Sequence, residues 1–136
     1  EACDIADRLG LVRPIVEQPE YNVFERNKVE HELVDLFTTH KLGLMVWSPL
    51  AGGILTGKYA HSVPAGSRLA NADLRALSIN FENQVSKVRQ LESVAVNLGC
   101  SLAQLAAAWC ASNRNVSTVL LGARTPAQLE ETPTRG

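Results

Sequence analysis

Nothing in this chain is arranged to hold a metal or a disulfide framework. Its three cysteines, Cys3, Cys100 and Cys110, stand at no metal-ligand spacing and leave an odd number for disulfides. His31, His40 and His61 likewise have no partner at metal or triad spacing. A charge of one sign is missing too, since 13 Lys and Arg face 14 Asp and Glu for a net charge of −1. Without a basic field, nucleic acid and anionic membrane surfaces drop out as first partners. No apolar run approaches the about 20 residues that a membrane-spanning helix needs, so no membrane insertion is expected. The first residues, Glu1 to Asp7, read as amphipathic helix and not as a secretory leader. There is no initiator Met and the chain opens inside a helix, so a piece of something longer is expected. Repeats and low-complexity tracts are also absent. A cytoplasmic, reducing setting is the simplest expectation.

What remains is the composition of one soluble globular unit, 46% hydrophobic and 20% charged across 136 residues. That length suffices to bury a core. Ala2, Ile5, Ala6 and Leu9 predict a first helix stopped by Gly10. Pro14 to Gln18 reads as a strand closed by Pro19. Asn27 is placed to cap a helix with an apolar stripe of Val29, Leu33, Leu36 and Phe37, ended by Gly43. The near-continuous apolar run from Gly43 to Trp47 predicts a second strand, covered on both faces. Residues 58 to about 80 have no period, and a connection of that length is usually functional or disordered. Val85, Val88, Leu91, Ala95 and Leu98 predict one face of a helix ending at Gly99. Ser101 and Gln104 form a capping box for the next helix, which carries Leu105, Ala108 and Trp109. Val116 to Leu121 reads as the third strand. Gly122 then turns the chain, and Thr125-Pro126-Ala127-Gln128 is a second capping box with Pro at the first helical position.

Strands alternating with helices predict an α/β fold with parallel pairing and right-handed crossovers. Three strands cannot close a barrel, and a (β/α)8 TIM barrel takes about 250 residues. The chain is therefore expected to be the C-terminal portion, about three strand–helix units, of such a barrel. In that architecture ligands meet the C-terminal ends of the strands. Three clusters fall there: Glu17-Gln18, Trp47 to Lys58, and Gly122 to Glu131. Gln18 offers an amide that both donates and accepts, as recognition of a carboxamide requires. The ring of Trp47 can stack on a flat ligand. The backbone at Gly52-Gly53 can approach closely, and Lys58 can meet a negative charge. The helix opening at Thr125-Pro126 presents free N–H groups to an anion, with Arg124 beside it. Each of these residues also has an ordinary reading as core, turn or cap.

The run Trp47-Ser-Pro-Leu-Ala-Gly-Gly-Ile-Leu-Thr-Gly-Lys-Tyr59 resembles the seventh-strand segment of the aldo-keto reductases. It is most similar to their branch of voltage-gated potassium-channel β-subunits and related reductases. Glu17-Gln-Pro-Glu-Tyr21 and Leu120-Leu-Gly-Ala-Arg-Thr-Pro-Ala-Gln-Leu-Glu-Glu131 extend the resemblance over residues 1 to about 131. It implies one NADP-dependent oxidoreductase domain there and a divergent tail at 132–136, where Pro133 would interrupt the expected helix. The implied cofactor is NADPH or NADP, and the implied reaction is hydride transfer to an aldehyde or ketone. Gln18 would hold the nicotinamide carboxamide and Trp47 would stack under its ring. Ser48, Pro49, Leu50, Ala51 and Gly53 would line the pyrophosphate, with Lys58 and Arg68 flanking. Gly122, Arg124, Gln128 and Glu131 would take the adenosine end, Arg124 favouring the 2′-phosphate and hence NADP over NAD. The channel-subunit branch tends to carry Ser where Arg124 stands, which tilts the resemblance toward the reductases.

The family's catalytic Tyr, Lys, Asp and His belong to the missing barrel half. Tyr21 and Tyr59 match other positions, so this segment alone is expected to lack catalysis. The implied partners are a small carbonyl substrate and a second copy of the chain. In the alternative role of a redox-sensing auxiliary subunit, the partner is a channel's cytoplasmic domain. A third alternative is a non-catalytic fragment.

Overall fold

A computed structural model describes residues 1–76 and 80–131. The predicted tail at 132–136 and its Pro133 lie outside the described residues, as does the stretch 77–79 of the long connection. Three strands, β1 (Val16–Glu17), β2 (Gly43–Val46) and β3 (Val116–Val119), form one parallel sheet in the order β1-β2-β3. Each lies where an apolar run was expected, though all are shorter than the run. Parallel neighbours must be joined by crossovers, and the connections supply helices α2 (Val34–Thr39) after β1 and α4 (Phe81–Asn97) with α5 (Leu102–Ser112) after β2.

Before the sheet, α1 (Ala2–Leu9) ends at Gly10 in the left-handed region, φ 65°, with Leu11 N–H donating to the Ala6 carbonyl at 2.8 Å. Its packed face is Cys3 and Ala6, while Ile5 and Leu9 of the expected stripe reach solvent.

β2 is the centre of the molecule. Leu44 and Val46 are fully buried, and with Tyr21, Val29 and Cys110 they form one core cluster. Gly43 and Met45 are only partly covered, so one face is sealed and the other incompletely so, contrary to the expectation of two covered faces. Leu44 pairs with Val116 but Met45 pairs with Thr118, leaving Ser117 as an extra residue. Ser117 Oγ lies 2.7 Å from where a Cβ on Gly43 would sit, so a side chain there would force Ser117 to shift.

The second core cluster joins Ile54, Leu55, Tyr59 and Leu69 to Val85 and Val88 of α4 and Ala106 of α5. The capping box of α5 forms in full: Gln104 N–H donates to Ser101 Oγ at 3.2 Å, and Ser101 N–H donates to Gln104 Oε1 at 3.0 Å. Ala106, Ala107 and Cys110 are its buried residues, and Ala108 of the expected face is exposed. Leu98 is also exposed, because α4 stops at Asn97.

Two expectations need correction. Asn27 does not cap: its own backbone is helical, φ −57°, and Lys28–Glu32 forms a wide π-helical turn before α2. Its amide instead donates to Glu32 Oε1, five residues on, at 2.7 Å. Leu33 N–H donates to the Lys28 carbonyl at 3.0 Å with the same five-residue reach. The helix then closes at Thr39, well short of Gly43. The long connection also has structure of its own, in a 3₁₀ turn at Arg68–Ala70 and a short helix α3 (Ala72–Ala76). No single helix among the described residues is long and apolar enough to cross a membrane.

Candidate functional site

Parallel pairing sends all three strands out of the sheet on the same side, so the clusters after β1, β2 and β3 share one end. The pairing also runs past the strands. Trp47 N–H donates to the Pro19 carbonyl at 3.1 Å and Tyr21 N–H to the Trp47 carbonyl at 3.2 Å, bridging Glu20 to Trp47. On the other flank Leu120 N–H donates to the Val46 carbonyl at 2.8 Å. The Trp47 backbone is thus held within the sheet while its side chain remains 44% exposed.

Past Trp47 the chain turns through an unusual run of left-handed residues. Ser48 has φ 58° immediately before Pro49, and Ala51 has φ 48° ahead of Gly52 at 66° and Gly53 at 97°. Two non-glycine residues in that region, one of them before a proline, carry strain that the surroundings must hold in place. Buried Pro49, Ile54 and Leu55 anchor the run from below. Gly53 is favoured by its φ of 97°, and a Cβ there would also displace the end of the Lys58 side chain, which folds back over the loop and lies 5.1 Å from the Tyr59 ring centroid.

Tyr59 then positions the next cation. Its ring is buried and its hydroxyl accepts the Leu69 N–H at 3.3 Å, which ties the turn bearing Arg68 to the loop. Arg89 of α4 donates through Nε and Nη2 to the Ala60 carbonyl and holds the same segment from outside. Ser67 Oγ, next to Arg68, is buried with no hydrogen-bond partner among the described residues.

These pieces enclose a cleft of about 360 Å³, whose lining includes Trp47, Ser48, Ala51, Gly52 and Arg68, with Glu20, Asn22 and Glu25 from the turn after β1. A neighbouring cleft of about 380 Å³ shares Phe24 and Gln84 with it and runs along α4 past Asn83 and Lys87. The first cleft combines a flat aromatic wall, a strained glycine-rich backbone, one guanidinium and two carboxylates. Such a surface stacks a planar ring, admits close backbone approach, and separates a cationic end from one that favours hydrogen-bond donors.

Of the residues singled out from sequence, Trp47, Ser48, Ala51 and Arg68 therefore meet in one cleft. Pro49, Leu50 and Gly53 belong to the same loop. Lys58 lies against that loop rather than in the cleft. Gln18 is exposed beyond the end of β1 and lines neither cleft.

Gly122, Arg124, Gln128 and Glu131 stand exposed around α6 (Pro126–Glu130), again outside both clefts. The second capping box is only half as expected. Gln128 N–H donates to the Thr125 hydroxyl at 3.3 Å, but Gln128 Oε1 accepts from Arg124 N–H at 2.8 Å, one residue earlier than a box requires.

Both tyrosine hydroxyls hold hydrogen bonds within the fold. Tyr21 is buried, donates to Glu30 Oε1 at 2.9 Å and accepts from Asn113 Nδ2 at 3.2 Å. Burial pushes its phenol above the ordinary value, the Asn113 bond opposes this, and Glu30 adds to it. Burial likewise pushes the Cys110 thiol up to about 12, and its Sγ–H donates to the Tyr21 carbonyl at 3.4 Å. No group of three or more His, Cys, Asp or Glu suited to a metal forms among the described residues.

Sequence reasoning passed over Asn22, whose amide reaches Ser48 across the cleft floor. The one available signal was Asn inside Tyr21-Asn22-Val23-Phe24, a turn former between two apolar stretches.

Comparison with known proteins places this geometry in context. Residues 1–133 match the Aldo/keto reductase family. A protein of Oryza sativa subsp. japonica named probable voltage-gated potassium channel subunit beta is 53% identical over 134 residues, covering 96% of this chain and 41% of that protein. A protein of Arabidopsis thaliana with the same name is 52% identical over 134 residues, with the same coverage. The chain thus spans about two-fifths of the length of these curated relatives.

Proposed function

The chain belongs to the aldo/keto reductase family, and from that premise we propose that residues 1–131 form the NADP(H)-binding C-terminal portion of a (β/α)8 barrel whose complete protein reduces aldehydes or ketones. The observation that carries this reading is the cleft at the strand ends, where Trp47, the left-handed Ser48–Gly53 loop and Arg68 come together. The residues suit the cofactor's parts. Trp47 suits the nicotinamide ring, the loop backbone the pyrophosphate, and Arg68 with Lys58 the negative charge. Gln18 would take the carboxamide, and Gly122, Arg124, Gln128 and Glu131 the adenosine end. When bound, the cofactor would supply hydride to a carbonyl carbon. This chain's part is to bind and orient it, since Tyr21 and Tyr59 are committed to structural hydrogen bonds. Three free thiols agree with a cytoplasmic home.

The test is fluorescence titration of the 136-residue chain with NADP⁺ and NAD⁺. Tighter binding of NADP⁺ by about tenfold or more, the worth of a charge-assisted hydrogen bond, is expected. Trp47→Ala should weaken both, and Arg124→Ala should abolish the preference. Equal affinity for the two dinucleotides in the wild-type chain would remove the role given to Arg124, and no binding of either would remove the reading.

The names of the two relatives favour a second reading, in which the protein is an auxiliary subunit of a voltage-gated potassium channel and the bound cofactor senses redox state. Retention of the complete protein on a channel's cytoplasmic domain, with cofactor that exchanges slowly, would select it over the reductase.

A further inference from the structure

Among the described residues Asn22 is the one polar residue that is fully enclosed, at 1% exposure, and it lies in the wall of the cleft. Its amide is saturated. Oδ1 accepts Phe24 N–H at 2.9 Å and Glu25 N–H at 3.0 Å, while Nδ2 donates to the Ser48 carbonyl at 3.1 Å and to Glu20 Oε1 at 3.4 Å. Two N–H groups on one side and two oxygens on the other fix which way the amide points, because the flipped amide would set N–H against N–H. The oxygen end closes the local turn. The nitrogen end crosses to Ser48, 26 residues away, which is the strained residue ahead of Pro49. The same Ser48 carbonyl accepts Ala51 N–H at 3.0 Å, so one oxygen links Asn22 to both left-handed non-glycine residues of the loop.

We propose that Asn22 is a positioning residue: its Nδ2–H to Ser48 bond holds the Trp47–Ser48 corner in its ligand-ready shape before any ligand arrives. The consequence for binding rests on the cofactor reading above. The corner itself exists without a ligand, and it can be tested by itself.

Asn22→Asp is the discriminating variant. The new carboxylate still accepts from Phe24 and Glu25 N–H, but at neutral pH it has no proton to offer Ser48 and confronts the Glu20 carboxylate. Burial and that like charge raise its pKa against the opposing pull of the two N–H bonds, so mild acid restores a donor. In the 136-residue chain, acrylamide quenching of Trp47 is read as the difference from a Trp47→Phe variant, without ligand. NADP⁺ affinity is read at about pH 8 and about pH 5.5 against wild type at the same pH, and far-UV circular dichroism reports the fold.

The expected result is an unchanged fold with Trp47 more readily quenched. NADP⁺ affinity should fall about tenfold at the higher pH, the size of a lost buried hydrogen bond, and recover toward wild type at the lower. Wild-type quenching and affinity at both pH values would overturn the proposal. Equal weakening at both pH values with loss of the circular-dichroism signal would overturn it too, as a merely structural role. If Asn22→Asp does not fold, Asn22→Ser replaces it: its hydroxyl can still accept from the turn but cannot reach Ser48, and unchanged Trp47 quenching would then reject the idea. If the wild-type chain binds no NADP⁺, the cofactor reading fails and Trp47 quenching alone decides the role of Asn22.

Discussion

Glu30 sits between a guanidinium and a phenol, and its titration is set by both. Arg26 donates Nε to Oε1 at 2.9 Å and Nη2 to Oε2 at 2.8 Å, and the Tyr21 hydroxyl donates to Oε1 at 2.9 Å. Chiefly through the Arg26 hydrogen bonds, with partial burial opposing and Tyr21 assisting, the carboxyl is held below its ordinary 4.5. A lowered folded value stabilises the protein above the unfolded value, and that contribution is lost as pH falls from there through the folded value. The urea midpoint should therefore drop as pH falls below about 4.5 in the wild type, and drop less in Glu30→Gln. The difference will be small, since the Arg26 side chain is 54% exposed. Parallel curves for the two proteins would refute the coupling. Cys110 titrates in the opposite direction. Its raised value favours the folded state below the unfolded 9.0, and that support is lost as pH climbs toward about 12.

At the scale of elements, the two helix caps make a matched contrast. Ser101 opens a helix that supplies Ala106, Ala107 and Cys110 to the interior, whereas Thr125 opens one with no buried residue. Ser101→Ala should cost about 1 kcal/mol of unfolding free energy, read as a lower urea midpoint at constant slope. Thr125→Ala should leave the midpoint where it was. An equal loss in both variants would mean that α6 is part of the cooperative unit. These caps were legible in sequence because a cap is a local pattern of two residues. The strands were legible for a similar reason, as short apolar runs between glycines and prolines.

The π-helical turn at Lys28–Glu32 was not legible. Asn27 carries the usual N-cap signal, and the wider winding shows only in the five-residue reach of the Leu33 N–H to the Lys28 carbonyl and of the Asn27 amide to Glu32. The 58–80 connection hid its short helical turns because the ties that order its described part, among them Tyr59 to Leu69 and Arg89 to Ala60, follow no period in the sequence. In the cleft the Trp47 loop announced itself by composition. Asn22 did not, since its partner lies 26 residues away and no local window contains both. The segment around Arg124 had a clear motif, yet a motif specifies a cap and not which cleft it faces.

At the scale of the whole molecule, the outer edge of β1 and the far edge of β3 are both unpaired among the described residues. The chain leading into β1 exposes Leu11 at 60%, Val12 at 95% and Ile15 at 76%. Open edges flanked by apolar side chains promote association. In sedimentation velocity the 136-residue chain should therefore form larger species as concentration rises. Ile15→Lys, which leaves the Ile15 carbonyl free to accept from Gly43 N–H as it does now at 3.0 Å, should suppress them. A monomer at every concentration would refute that. The sheet also keeps its strands in chain order, each hydrogen-bonded to the next. Growth of such a sheet is vectorial: each strand finds its neighbour already synthesised, and the loop to be closed is always the crossover that joins the two. Whole units can then be added at either edge without rethreading what stands between, so accretion by duplication is topologically free for this architecture.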